Sequence, residues 1–199
     1  MSNIIRAVIF DVGGVLVRTR DHAGRQAWEA RLGLGAGEAE AIVLNSEMGR
    51  RAQRGELTTA ALWAWVAERL GLGDDLDAFR RDFWRGDAVD EALVGLIRRL
   101  RPRYQLAIIS NASDSLLPTL SEYGLAEKFD LIVGSAAEGV MKPQPEIYRR
   151  ALARLGRAPQ EAVFIDDAPA NVAGARAVGM AAIHFTPGID LEGELGRLG

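Results

Sequence analysis

Ile4–Leu16 reads IIRAVIFDVGGVL: an apolar, β-branched run, then one aspartate, then two glycines. A continuous apolar run stopped by turn residues suits a strand buried on both faces of a parallel sheet. Asp11 then stands at the carboxyl end of that strand, where open α/β sheets place their ligands. Gly13 and Gly14 leave the neighbouring backbone accessible to a ligand or ion. The same residues equally suit an aspartate that opens a tight turn.

Four further runs have the same character: Gln105–Ile109 (QLAII), Leu131–Val133 (LIV), Ala162–Ile165 (AVFI) and Ala181–Phe185 (AAIHF). Between them lie amphipathic stretches of helix length at Glu91–Leu100, Asp114–Tyr123, Glu146–Leu155 and Ala170–Val178. Strand–helix alternation of this kind predicts an α/β fold with a Rossmann-like, doubly wound parallel sheet. From Val17 to Gly86 the pattern changes to helical segments near 22–32, 38–50, 59–70 and 75–84, with no strand signal. The expected organisation is therefore an α/β core from 1–16 and 87–199 and an inserted all-helical cap subdomain at 17–86. The string Arg-Leu-Gly-Leu-Gly at 31–35 and again at 69–73 reads as helix C-capping chemistry and not as a repeat. Trp28, Trp63, Trp65 and Trp84, all four tryptophans, fall in the insert, as a small subdomain with its own core requires.

Bulk properties narrow the function. The 199 residues are 48% hydrophobic and 26% charged, values of an ordinary globular chain. A net charge of −3 argues against a nucleic-acid surface, and the mixed signs along the chain argue against a charged tail. With no cysteine there is no disulfide, thiolate metal site or cysteine nucleophile. The N-terminal apolar run is short and interrupted by Arg6, so neither a signal peptide nor a membrane span is expected, and a cytoplasmic location is. Only Lys128 and Lys142 among the 24 basic residues are lysines.

Three more strand ends carry polar chemistry. Ile109 is followed by Ser110-Asn111-Ala112-Ser113 and a helix; this is an ordinary helix start, or an anion site of hydroxyl and free N–H groups. Lys142 sits in Met141-Lys142-Pro143-Gln144-Pro145, where two prolines stiffen the chain, as a solvated loop residue or as a fixed ammonium. Asp166 and Asp167 follow the run Ala162–Ile165. Adjacent carboxylates repel unless neutralised, and hard oxygen ligands of this kind suit Mg²⁺. Asp11, Ser110, Lys142, Asp166 and Asp167 thus converge on one edge of one sheet.

In this light the chain resembles the haloacid dehalogenase-like hydrolases: FDVGGVL, ISNAS, MKPQPEIY and FIDDAPANVAGA stand where that family has its four motifs, in order. The resemblance implies that Asp11 attacks phosphorus and becomes an aspartyl phosphate. It implies Mg²⁺ held by Asp11, the Gly13 carbonyl and Asp167, with Asp166 direct or through water. Ser110 and Asn111 would bind the phosphoryl group, and Lys142 would bind it and stabilise the transition state. Asn171 would orient the site, and the insert would be a small helical cap. The substrate would be a small-molecule phosphate ester; the sequence carries no signal for an oligomeric state.

One position departs from the family. Its usual phosphatase pattern has a second aspartate two residues after the nucleophile, an acid and then a base worth about 10²–10⁴-fold; here that residue is Gly13. A glycine variant is found in a branch that resembles sugar-phosphate phosphatases and the phosphatase domain of epoxide hydrolases. Asp21 and His22 are candidate substitutes. Three functions follow: a Mg²⁺-dependent phosphatase, a 2-haloacid dehalogenase that needs no metal, or a phosphometabolite-binding protein without turnover. Trp63 and Trp65 point about 200° apart on a helix, so at most one faces the insert core. Arg50, Arg51 and Arg54 are expected on a solvated face. A GLGAG string near Gly33 follows a helix and not a strand, so it is no dinucleotide site.

Overall fold

A computed structural model describes residues 4–198. In chain order the first elements are β1 (Ala7–Phe10), β2 (Val17–Thr19), α1 (Ala23–Leu32), α2 (Glu38–Glu40), a π-helical turn at Ala41–Asn45, and α3 (Glu47–Gln53). Then come α4 (Thr59–Leu70), α5 (Leu76–Trp84), β3 (Asp87–Val89), α6 (Glu91–Leu100), β4 (Gln105–Ser110) and α7 (Leu116–Glu122). The chain continues through β5 (Leu131–Gly134), α8 (Ser135–Glu138), α9 (Pro145–Leu155), β6 (Ala162–Asp166), α10 (Pro169–Ala177), β7 (Ala181–His184) and α11 (Leu191–Leu198).

Five strands form one parallel sheet in the order β5-β4-β1-β6-β7, with the N-terminal strand at its centre. Both faces are buried, which is why the strands read as unbroken apolar runs. Val8, Phe10, Leu106, Ile108, Val163 and Ile165 point to one face, where α6, α7 and α11 pack through Ile97, Leu120 and Leu195. Ala7, Ile9, Ala107, Ile109 and Phe164 point to the other, against Ile147, Tyr148 and Leu152 of α9 and Ala175 of α10. This is the α/β sheet expected from the strand–helix alternation.

Between β2 and β3 every described element is helical, and its buried residues, including Trp28, Trp63, Phe79 and Phe83, form a third cluster. Trp28 meets Phe79 edge-on, and Trp63 meets both Phe79 and Phe83. Trp63 is buried and Trp65 only partly so, as their angular separation requires. Two details differ from expectation. Val17–Thr19, placed in a helical interval, is a strand that pairs antiparallel with Asp87–Val89. Three residues reading VRT have no apolar run to betray them; the pairing comes from residues 68 or more positions away. The segment 38–50 is not one helix but breaks at Ser46, whose side chain accepts the Gly49 N–H and caps α3 anew. No helix among the described residues is long and apolar enough to cross a membrane.

Candidate active site

The register of the sheet assembles the site. Phe10 lies level with Ile108 of β4 and Ile165 of β6, so Asp166 emerges beside Asp11, while β4 runs two residues further to Ser110. The Asp11 N–H donates to the Ile165 carbonyl at 2.9 Å, tying the two strand ends together. Asp166 therefore follows at the level of Asp11, and Ser110 closes β4 on the other side.

Lys142, from the loop before α9, is almost fully buried and reaches both carboxylates. Its Nζ lies 2.7 Å from Asp11 Oδ1 and 2.7 Å from Asp166 Oδ2. The Phe164 ring lies beneath the ammonium, 5.3 Å away. Asn111 fixes that lysine from its backbone: Asn111 Nδ2 donates to the Lys142 carbonyl at 3.0 Å, and the Lys142 N–H donates to Asn111 Oδ1 at 2.8 Å. In this structure the Asn111 amide is thus occupied by the lysine loop.

Asp166 has no solvent exposure, and its two oxygens are spoken for. Oδ1 accepts from the Ala168 N–H at 2.8 Å and from Asn171 Nδ2 at 3.1 Å; Oδ2 takes Lys142 and Asn171 Nδ2 at 3.0 Å. Asn171 is itself held where Tyr148 donates its hydroxyl to the Asn171 carbonyl at 2.9 Å. Tyr148 is a residue that the motif string contains but whose role only the fold reveals. Asp11 Oδ1 accepts from Lys142 and from the Val12 N–H at 2.7 Å. Among the described residues, no hydrogen bond occupies Asp11 Oδ2, the Asp167 carboxylate or the Ser110 hydroxyl.

Asp11, Asp166 and Asp167 bring carboxylate oxygens within 4.8 Å of one another. Three carboxylates against one ammonium leave net negative charge. The electrostatic cost appears in the proton affinities: burial, above all, pushes Asp11 from 3.8 up to about 7, against the pull of Lys142 and with a further push from Asp166. Asp167 is raised too, by burial first and by Asp166 second. A site that strains to ionise its carboxylates fits a divalent cation, and the donors are the hard oxygens Mg²⁺ prefers. The backbone is cut to match. Gly14 has φ +75°, and a Cβ there would lie 2.1 Å from Asp167 Oδ2. A Cβ on Gly13 would meet nothing within 4 Å. Nor, among the described residues, does the Gly13 carbonyl accept a backbone hydrogen bond.

The other candidates fall outside this cluster. Asp21 is exposed and its Oδ1 accepts the Ala23 N–H at the start of α1; His22 is exposed. Neither bonds to Asp11, Lys142 or Asp166 among the described residues. Arg50, Arg51 and Arg54 pair with Glu47 and Glu56 on the surface. Sequence reasoning missed Ser135. Its buried hydroxyl accepts the Ala112 N–H at 3.0 Å and donates to the Gln53 carbonyl at 2.6 Å, joining the loop after Ser110 to α3. A serine after a short apolar strand offers no signal of that kind.

Known proteins with this architecture are numerous. A sesquiterpene phosphatase of Aspergillus oryzae is 28% identical over 201 residues, covering 100% of this chain and 98% of its own. An (S)-2-haloacid dehalogenase of Xanthobacter autotrophicus is 27% identical, covering 88% of this chain and 73% of its own. A crystal structure of a HAD family enzyme from Bacteroides thetaiotaomicron, in complex with magnesium and inorganic phosphate, shares the fold: TM-score 0.77, 22% identity, 96% of this chain and 98% of that one. The haloacid dehalogenase-like hydrolase family matches residues 5–179, and with its four motifs joined at one sheet edge the chain belongs to that family of hydrolases.

Proposed function

We propose that the protein is a Mg²⁺-dependent phosphatase that hydrolyses a small phosphorylated metabolite through an aspartyl phosphate on Asp11. The observation that carries this is the trio Asp11, Asp166 and Asp167 with Lys142 between two of its members. The relative from Aspergillus oryzae bears the name of a phosphatase and matches end to end.

The free oxygens suggest the division of labour. Asp11 Oδ2, Asp167 and the Gly13 carbonyl would hold the cation; Asp166, saturated by Lys142, Asn171 and the Ala168 N–H, places the lysine. When bound, Mg²⁺ supplies positive charge to the transferring phosphoryl oxygens and lets the carboxylates ionise together. Asp11 then attacks phosphorus in line. Lys142 keeps its carboxylate oriented and offsets its charge, and the unpartnered Ser110 hydroxyl donates to a phosphoryl oxygen. Water opens the aspartyl phosphate and returns Asp11.

Residues 17–86 act as a cap over the core of 1–16 and 87–199. Both crossings run through the β2–β3 ribbon, and the helical part rests on the loop after Ser110: Thr59 Oγ1 lies 2.7 Å from Ser113 Oγ, and the Thr59 N–H donates to Asp114 at 2.9 Å. A dehalogenase would use Asp11 without a metal, and the carboxylate trio argues against it. The test is phosphate release from a panel of phosphorylated sugars, nucleotides and acids. Release should require Mg²⁺ and vanish in Asp11→Asn. Halide release from 2-haloacids in chelator would contradict the proposal.

A further inference from the structure

We infer that the site serves phosphate compounds whose departing oxygen is stable as an anion: acyl phosphates, enol phosphates, phosphoanhydrides and anomeric esters. The inference rests on the phosphatase chemistry proposed above and narrows its substrate class.

Its basis is the proton inventory of the site. Cleaving the bond from phosphorus to an alkyl oxygen demands a proton for that oxygen or a leaving group that needs none. Asp11 forms the new bond to phosphorus. Lys142, 3% exposed, is bonded at 2.7 Å to Asp11 and to Asp166, which puts it on the attacking side, opposite to where an in-line leaving group departs. Asp166 has no exposure and accepts hydrogen bonds on both oxygens. Asp167 is one of the carboxylates that would hold the cation.

Among the described residues, none of the titratable groups on the neighbouring loops bonds to Asp11 or Lys142, and His22 at the start of α1 is exposed. Asp21 caps the start of α1, Asp114 accepts from Thr59, and His184 Nε2 lies 2.9 Å from the Asp167 carbonyl oxygen. Two residues past the nucleophile the chain offers only Gly13, on an exposed turn whose Cβ direction is empty to 4 Å.

The first step is therefore R–O–PO₃²⁻ plus the Asp11 carboxylate giving Asp11–PO₃²⁻ and RO⁻. The new O–P bond forms as the old one breaks, the electron pair leaves with RO⁻, and solvent protonates RO⁻ afterwards. In the second step water adds to phosphorus, the Asp11–P bond breaks, and inorganic phosphate and one proton are released. Without a side-chain base this step is slow as well, so the phosphoenzyme accumulates.

The experiment measures kcat/KM of the wild-type protein at saturating Mg²⁺ on acetyl phosphate and on nitrophenyl, phenyl and alkyl phosphates, with Asp11→Asn as control. Expected are a steep fall as the leaving group becomes more basic and a burst of nitrophenol equal to the enzyme present. Gly13→Asp should flatten the fall, by up to the roughly 10²–10⁴-fold that a positioned acid contributes. A wild-type protein that cleaves alkyl phosphates as fast as aryl phosphates, without a burst, would overturn the inference while leaving the phosphatase standing. Should Gly13→Asp fail to fold, the wild-type slope alone decides. If no substrate, acetyl phosphate included, gives Asp11-dependent release, the phosphatase itself falls.

Discussion

Gly14 and Asp167 occupy one space: a Cβ on Gly14 would lie 2.1 Å from Asp167 Oδ2 and 2.4 Å from its Cγ. Gly14 also has φ +75°, which a side chain tolerates at a cost of about 1–3 kcal/mol. Gly14→Ala must therefore push the carboxylate out of the trio. Expected are a loss of about 1–3 kcal/mol in urea unfolding and at least a tenfold loss in Mg²⁺ affinity by calorimetry. Gly13→Ala, with open space at its Cβ, should stay within about 0.5 kcal/mol of wild type. Equal effects at the two glycines would mean that Asp167 is not held against Gly14.

Lys142→Met leaves Asp11 and Asp166 facing one another without the ammonium that both contact at 2.7 Å. Removing one partner of a buried charge pair costs about 3–5 kcal/mol, because the remaining charge is stranded. Adding Asp166→Asn should restore part of that stability and none of the activity. The double-mutant cycle in urea, beside phosphate release, checks both halves.

The strand ends made the candidate site legible in the sequence. A carboxylate cannot follow an apolar strand into a buried sheet without a partner, so Asp11 and Asp166 marked their own position, and Lys142 stood out just before two prolines. What the sequence hid was the hydrogen bonding among them. An asparagine such as Asn111 carries the same signal whether it binds substrate or clamps a backbone; its amide spans Lys142 N and O only because the loops meet. Ser135 joining Ala112 to Gln53, and the VRT strand pairing with Asp87–Val89, depend on contacts distant in sequence that no local pattern encodes.

Proton affinity gives a third expectation. Burial raises Asp11 to about 7 when folded without metal, from 3.8. A raised carboxyl stabilises the fold fully below the lower value and loses that contribution as pH rises through the higher one. The metal-free protein should therefore lose stability between about pH 4 and pH 7. Mg²⁺ binding should tighten over the upper part of that range and release protons, seen by calorimetry in buffers of different ionisation enthalpy. A Mg²⁺ affinity independent of pH would contradict this.

Asn171→Ala removes the amide that donates to both oxygens of Asp166 at 3.1 Å and 3.0 Å. Loss of a group that orients a ligand set typically costs about 10–100-fold in metal affinity or activity. Expected is a fall of that size in kcat with little change in KM, since Asn171 acts through Asp166 and not on substrate. A change confined to KM would place Asn171 in the substrate pocket.

The central claim is that Asp11 carries the phosphoryl group. The direct measurement is acid quench during turnover of acetyl phosphate with Mg²⁺, followed by mass spectrometry of the peptide containing Ile4–Leu16. The expected result is one phosphoryl group on Asp11, absent in Asp11→Asn and absent in chelator. Steady phosphate release with Asp11 unmodified, or release that survives Asp11→Asn, would contradict the account.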